Sequence, residues 1–387
     1  MTELERKALL PAGLRDILPP EAAFEAGIRE TLAASFAGHG YERVKPPLVE
    51  FEDGLMSGAG AAVSKDTFRL MDPVSQRMMG VRADMTTQVA RIALTRLADS
   101  PRPLRLGYTG EVLRVRGNQL RPEREFAQVG AELIGAESAM ADIEIIALAV
   151  ESLRAIGVPG LSVDLTVPPL VPALLDDAAA LSQDARTSLR EALDRKDSAA
   201  VRELGGAAAE TLLLLMDATG PADEALAQLA KLRLPEAAGR ERTRLQAVVE
   251  GLHRRIPDLD ITVDPVEIRG LEYHTGVAFT FFARGERSEI GAGGRYVATL
   301  NGAGNDNGEP ATGFTLYVDP ILRVLPEPER ARRIFLPTPD DLEAGKALRA
   351  EGWVTIAAVD SVANAEAEAR RLGCSHVWSG GQAKSLG

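Results

Sequence analysis

The chain has a single cysteine, Cys374, in 387 residues, so no internal disulfide can form and a stapled scaffold is excluded. Its four histidines, His39, His253, His274 and His376, are too scattered to offer zinc-ligand spacing. Positive charge is in deficit: 44 Lys and Arg stand against 56 Asp and Glu, a formal net charge of −12 that repels a polyphosphate backbone. Nucleic acid is therefore not an expected partner. Long apolar runs are also missing. Stretches such as Leu212 to Met216 are far too short to span a bilayer, and the opening MTELERKALLPAGL lacks the basic-then-apolar order of a leader. These absences predict a cytoplasmic protein with no metal, no cofactor and no membrane contact. What is present is a folding composition, 45% hydrophobic and 26% charged, at a length that allows two or three domains of ~100 to 200 residues.

From Ala22 to Gly38 apolar residues recur at helical spacing, after which GHGYERVKPPLVE breaks the helix and continues as an extended, proline-stiffened segment. Residues 66–83 and 104–134 alternate apolar and polar as half-buried strands do, with helical spacing at 86–97 between them. The first 150 residues thus read as α+β with a mostly antiparallel sheet. Residues 170–256 turn to Ala, Leu and many charges, the composition of packed amphipathic helices. Strand-like segments then resume in LDITVDPVEIRGLEYHTGVAFTFFA and SEIGAGGRYVATL, so the helical stretch, about 168–258, reads as an insertion in one domain. NGAGNDNGEPATG, residues 301–313, is rich in turn formers and reads as a mobile loop. PEPERARR reads as a linker, which divides the chain into a core at 1–328 and a small α/β unit at 329–387. From Arg333 to Gly387, six Lys or Arg face seven Asp or Glu, leaving no basic excess to grip RNA.

Three clusters could carry chemistry. The GAGG at 291–294 would let backbone approach a ligand closely, but RYVATL follows it where a dinucleotide fingerprint needs a helix. SGAGAA at 57–62 reads as a loop. Arg114, Arg116, Arg121 and Arg124, with Glu123 and Glu125, lie between two strand-like pieces and alone read as a solvated hairpin. RGLEYHTG at 269–276 sets Arg269, Tyr273 and His274 before an apolar strand, where a lone histidine is more often structural than catalytic.

In their order along the chain these pieces resemble the catalytic core of histidyl-tRNA synthetase, a class II aminoacyl-tRNA synthetase, over roughly residues 8–325. GYERVKPPLVE resembles the first class II motif, whose strand and helix form the homodimer interface in that family. VRADMTTQ resembles its LRPE-x-T segment, and LRVRGNQLRPEREFAQVGAELIG its second motif. RGLEYHTG is similar to the RGLDYYTG signature, and GAGGRY to GGGRY. The resemblance implies an α+β class II synthetase-like fold: an antiparallel sheet core with helices and a helical insertion, plus a small C-terminal α/β domain. Position by position, it puts Asp84, Thr86, Arg114, Gln128, Glu132, Arg269, Tyr273 and His274 around a histidine-like ligand. Carboxylates at 84 and 132 and the amide of Gln128 suit an α-amino group and an imidazole N–H, while arginines at 114 and 269 suit a carboxylate. The family has Glu at 84 and Tyr at 274, so Asp84 and His274 change reach and donor geometry.

The nucleotide end departs further. Arg116 stands where the family has a glutamate that receives adenine, and Gly117 where it has an arginine. The third motif, Gly-Phe-x-x-Gly-x-Glu-Arg, aligns with GFTLYVDP at 313–320, which puts Tyr317 at the tight glycine and Pro320 at the arginine that stacks on adenine. Activation builds charge on the transferring phosphate, and losing one stabilising donor costs ~2.7 to 4 kcal/mol, so several losses predict no aminoacylation. The tail is also shorter and less basic than a synthetase anticodon-binding domain. The whole pattern resembles the ATP phosphoribosyltransferase regulatory subunits, synthetase paralogues without aminoacylation. That resemblance implies a non-catalytic chain in the first step of histidine biosynthesis, with no catalytic residues of its own. Its implied partners are a short-form ATP phosphoribosyltransferase catalytic subunit and a second copy of itself. Histidine, the feedback inhibitor, would bind in the retained pocket or elsewhere in the complex. The alternatives are an active synthetase with degenerate motifs, or a binding module outside histidine biosynthesis.

Overall fold

The structure, a computed structural model, describes residues 8–56, 60, 64–117, 120–177, 182–267, 273–300, 308–328, 331–338 and 341–386. Ile28, Leu32 and Phe36 recur at four-residue spacing and give helix α1 (Glu21–Gly38) one buried face. The strands that follow are β1 (Glu42–Arg43), β2 (Val49–Phe51), β3 (Arg69–Met71) and β4 (Met78–Val81), then helix α2 (Thr86–Thr95). Strands β5 (Leu104–Leu113) and β6 (Glu125–Ile134) pair antiparallel along their whole length, from Leu104 opposite Ile134 to Leu113 opposite Glu125. Helix α3 (Ala139–Ala155) leads to β7 (Ser162–Thr166), β8 (Gly220–Pro221), β9 (Asp260–Asp264), β10 (Ala278–Phe282), β11 (Gly291–Ala298) and β12 (Glu309–Tyr317).

Nine of these strands form one sheet in the order β1-β5-β6-β12-β11-β10-β7-β9-β8, while β2-β4-β3 form a separate small antiparallel sheet. In the large sheet β1 with β5 and β7 with β9 are parallel and the other pairs antiparallel. This is the α+β, mostly antiparallel core that the sequence predicts.

Two elements depart from the sequence reading. Helix α3 escapes a periodicity search because its polar stripe is narrow: Glu144 and Glu151 mark it, while Ile145, Ile146, Leu148 and Val150 are all buried against its neighbours. The supposed loop at 301–313 is a strand from Glu309 onward, where Pro310 and Ala311 pair with Val297 and Tyr296 of β11. Its composition of turn formers conceals that pairing, and residues 301–307 lie outside the described residues. Most of SGAGAA lies outside them as well.

The insertion leaves the sheet after β7 and returns at β9, with six helices among the described residues, from Leu170–Asp177 to Glu236–Arg255. Its buried Leu189, Val201, Leu212 and Leu245 belong to the same apolar cluster as the sheet residues Val163 and Phe279. Lys196 ties it to β9, with Nζ 2.7 and 2.6 Å from the two carboxylate oxygens of Asp264.

Residues Pro326–Gly387 form a second compact unit. It holds β13 (Arg333–Leu336), β14 (Val354–Ala357), β15 (His376–Ser379) and β16 (Gln382–Ser385), in the order β14-β13-β15-β16, with β16 alone antiparallel. Helices Leu342–Ala350 and Ala365–Arg371 connect the parallel strands. β16 is not apparent in the sequence; Gly380 and Gly381, at φ +59° and +77°, supply the two-residue turn that folds it back on β15.

One buried ion pair joins the large sheet to α3. Arg295 of β11 reaches Asp142 at 2.9 Å and donates to the carbonyls of Ala136 and Ser138 at 2.8 and 3.0 Å, with both side chains almost wholly buried. Burial outweighs the attraction of Arg295 and holds the Asp142 carboxyl above its ordinary range. Replacing Arg295 with Met strands that carboxyl and two carbonyls, so urea unfolding should show a loss of about 3 to 5 kcal/mol. Arg295→Lys should lose less, because it keeps the charge.

Candidate functional site

Strand pairing carries two rows of residues straight across the large sheet. In one, Glu132 of β6 faces Gly313 of β12, which faces Gly294 of β11, then Ala278 of β10 and Thr166 of β7. In the other, Gly130 faces Thr315, then Ala292, Thr280 and Asp164. Residues two apart share a strand face, so both rows belong to one surface, and at ~4.8 Å per strand it runs about 19 Å from Glu132 to Thr166. Its middle consists of small residues and its ends carry carboxyl groups. A cavity of about 410 Å³ lies over it, lined by Glu132, Gly313, Gly294, Thr280, Asp164 and Thr166 among others.

The glycines of this floor are there for space. A Cβ at 313 would stand 1.8 Å from Glu132 Oε2, one at 294 would stand 2.5 Å from His274 Cδ2, and one at 293 would stand 2.1 Å from the Gly313 carbonyl. The GAGG at 291–294 is therefore a strand flattened beneath a pocket rather than a phosphate loop. Gly130 does the same for the Tyr108 phenol, whose oxygen lies 2.4 Å from where a Cβ would be.

Glu132 is 1% exposed. The Tyr296 hydroxyl donates to Oε2 at 3.0 Å and the Tyr108 hydroxyl lies 3.4 Å from Oε1. Tyr108 also meets Thr315 Oγ1 at 2.7 Å. Among the described residues no lysine or arginine lines the cavity. Burial without a cation raises the Glu132 carboxyl to about 8; the hydroxyls of Tyr296, Thr86 and Tyr108 oppose this and the charge of Asp84 adds to it. Burial, and then the charge of Glu132, pushes both phenols well above their ordinary range.

Of the residues expected around a ligand, Asp84, Thr86, Glu132, Tyr273 and His274 line this one cavity. The rings of Tyr273 and His274 lie 4.0 Å apart, tilted by 32°, with His274 buried and Tyr273 partly exposed. Gln128 is brought close but not into the cavity. Its amide donates to Asp84 Oδ2 at 2.9 Å and accepts from the Met85 N–H at 3.1 Å, so it positions Asp84 from behind. Arg114 is not brought in: it donates to the Ala83 carbonyl at 3.3 Å and lines a separate cavity of about 180 Å³ with Asp66, Arg121 and Glu123. Arg269 lies outside the described residues.

Sequence reading missed Tyr108, Tyr296 and Thr315, and the far acids Asp164 and Glu267. Tyr296 stands inside GAGGRY, and period two from Gly313 along β12 points Thr315 and Tyr317 to the same face. Tyr108 and Asp164 carry no such signal. Asp164 accepts from Thr262 at 2.6 Å, and burial raises both it and Glu267 above the usual carboxyl range.

In the arginine cluster between β5 and β6, Arg116 is exposed as a solvated hairpin predicts, but Arg121 is not. Arg121 is largely buried, pairs with Glu289 and stacks over the Tyr317 ring at 4.0 Å, and that ring meets Phe126 edge-on at 6.1 Å. Tyr317 thus closes the groove along β12, four residues beyond Gly313 and away from Glu132, and Pro320 is buried in the helix Val318–Val324 that follows. The arrangement can hold a small polar ligand of positive or dipolar character. It offers no free cation, among the described lining residues, to a polyphosphate.

The histidyl-tRNA synthetase family matches residues 13–321 of the chain. A protein of Rhodospirillum centenum named ATP phosphoribosyltransferase regulatory subunit is 55% identical over 379 residues, 98% of this chain and 96% of its own length. One of the same name from Paramagnetospirillum magneticum is 54% identical over 97% of each chain. The crystal structure of an ATP phosphoribosyltransferase regulatory subunit/histidyl-tRNA synthetase from Bacillus halodurans matches with a TM-score of 0.80, at 25% identity over 94% of this chain and 96% of that one. Histidyl-tRNA synthetase from Nostoc shares the fold at a TM-score of 0.78 and 20% identity, over 96% of this chain and 90% of that one.

A carboxyl at about 8 in the folded chain and 4.5 when free makes the folded state bind the extra proton between those values. Stability contributed by protonated Glu132 is complete below the lower value and is lost as pH rises through the upper one. At 1.36 kcal/mol per pKa unit the loss amounts to several kcal/mol. Urea unfolding at about pH 5 and about pH 8.5 should show it, and Glu132→Gln, which cannot ionise, should flatten the difference. A wild-type-minus-variant difference that stays constant with pH contradicts the assignment.

Proposed function

The chain belongs to the ATP phosphoribosyltransferase regulatory subunits within the histidyl-tRNA synthetase family, and we propose that it acts as such a subunit, without catalysis of its own. Its work is then to support a separate catalytic chain, of the short form, in the first step of histidine biosynthesis in the cytoplasm, and to make that step sensitive to histidine.

The observation that carries the non-catalytic reading is the groove end at Tyr317. A tyrosine ring stands there under the guanidinium of Arg121, which is itself neutralised by Glu289, and Pro320 follows in place of a cation. Activating an amino acid transfers an adenylyl group from ATP and releases pyrophosphate, which needs positioned positive charge at that point. The other end of the groove keeps Asp84, Thr86 and Glu132 within one enclosed cavity, which supports a retained amino-acid pocket. Histidine is the ligand in this reading, its ammonium toward Asp84 and its ring toward Glu132.

Self-association is supported by the small sheet β2-β4-β3. Val49 pairs with Val81, and Phe51 with Met79 and Leu70 in turn, which puts an apolar row on one face of all three strands. Phe51 and Leu70 on that face are exposed on the single chain. A face of that kind is usually covered by a partner.

Copurification and activity test the reading. Mixed with a short-form catalytic subunit, the chain should form a stable complex, raise phosphoribosyl-ATP formation, and confer inhibition by histidine. Alone it should not exchange pyrophosphate into ATP in the presence of histidine; exchange at a synthetase-like rate would overturn the proposal. For the self-contact, Leu70→Asp should shift sedimentation toward monomer while leaving the circular dichroism spectrum intact.

A further inference from the structure

Resting on the reading of the cavity as an amino-acid pocket, we propose that Glu132 meets its ligand as a neutral carboxylic acid and passes its proton to a basic ring nitrogen of the ligand side chain. The pocket thereby selects amino acids whose side chain is a weak base.

The geometry points there because of what surrounds the carboxyl. From β5 comes the Tyr108 phenol and from β11 the Tyr296 phenol, one near each oxygen. The start of α2 contributes the Thr86 hydroxyl and Asp84, whose charge has the same sign as an ionised Glu132. From β12 come Gly313 and Thr315, and the His274 ring lies behind Gly294 on β11. None of the described lining residues is a lysine or arginine, so in an empty pocket only hydroxyl donors offset the desolvation of an ionised Glu132. Its raised value of about 8 agrees with that.

Three ligand classes then fare differently. A permanent side-chain cation, ammonium or guanidinium, requires Glu132 to shed its proton to water. A neutral amide can accept from the acid's O–H and donate to its carbonyl oxygen, but it takes no proton and forms no ion pair. An imidazole does better: the O–H bond at Glu132 breaks, an N–H bond forms at the ring nitrogen, and carboxylate and imidazolium appear together as a contact pair. A free imidazole, near ~6.5, binds its proton less tightly than Glu132 does in the empty pocket, so transfer waits for contact. Once it occurs, the pair attracts strongly in the low-dielectric pocket, and the two phenols donate to the oxygens of a true carboxylate.

The test uses the full chain and histidine labelled with nitrogen-15 in the ring. At about pH 7.5, where the free ring is mostly neutral, the bound ring should show the chemical shifts of a doubly protonated imidazolium. Titration calorimetry in two buffers of different ionisation enthalpy should give the same heat, since no net proton leaves or enters. Glutamine and lysine should bind at least about 10-fold more weakly than histidine, and Glu132→Gln should bind histidine about 10- to 100-fold more weakly, with a neutral ring. A neutral bound ring in the wild type, or uptake of nearly one proton per histidine, overturns the proposal while leaving the amino-acid pocket standing. No histidine binding to the chain or its complex overturns the pocket itself, and this inference with it.

Discussion

The hydrogen bonds from Tyr296 and Tyr108 to the buried carboxyl of Glu132 are the interaction around which the rest of the core is arranged. A carboxyl at the centre of a wide sheet must be given donors, because nothing else replaces its hydration. Tyrosines supply them at arm's length, and they fit only because Gly130 and Gly313 have no side chains in the way. Tyr296 in turn is held in register by its neighbour Arg295, whose guanidinium is locked to Asp142 and two carbonyls of the α3 entry. The salt link and the pocket are therefore two faces of one strand, β11.

The two halves of the groove have diverged in chemistry on a common frame. On the side of Glu132 and Asp84 the polar groups converge on a space sized for a small molecule. On the side of Tyr317, side chains of the protein occupy the ground: an aromatic ring, the guanidinium covering it, and the glutamate neutralising that guanidinium. The fold is shared with enzymes that activate an amino acid, but a fold does not carry its chemistry with it. Among the described residues that line the groove there is no lysine or arginine.

How much of this was legible in the sequence depended on whether a residue belongs to a periodic element or to a long-range meeting. Helix α1 and the paired strands β5 and β6 follow from spacing alone, and the insertion follows from its abrupt change of composition. Helix α3 did not, because a wide buried face leaves only a thin polar stripe to mark the period. Asp84 and Glu132 could be singled out through motifs that run locally along the chain. The role of Gln128 could not, since a strand residue facing a groove and one bonded behind a neighbouring carboxylate look alike in one dimension. Tyr108 was invisible for a similar reason: its importance arises from the partner strand that carries Glu132, 24 residues away. Arg114 sits on the expected motif but donates to the Ala83 carbonyl and lines a separate cavity, which only three dimensions reveal.

The insertion leaves the sheet from β7 and returns to its parallel neighbour β9, and β7, through Asp164 and Thr166, is also part of the groove wall. The helices between them are thus anchored at two adjacent strands, with Lys196 tied to Asp264 and with Leu189, Val201, Leu212 and Leu245 packed into the sheet's own apolar cluster. Whatever rests against Asp164 and Thr166 therefore rests against the strand from which the whole insertion departs.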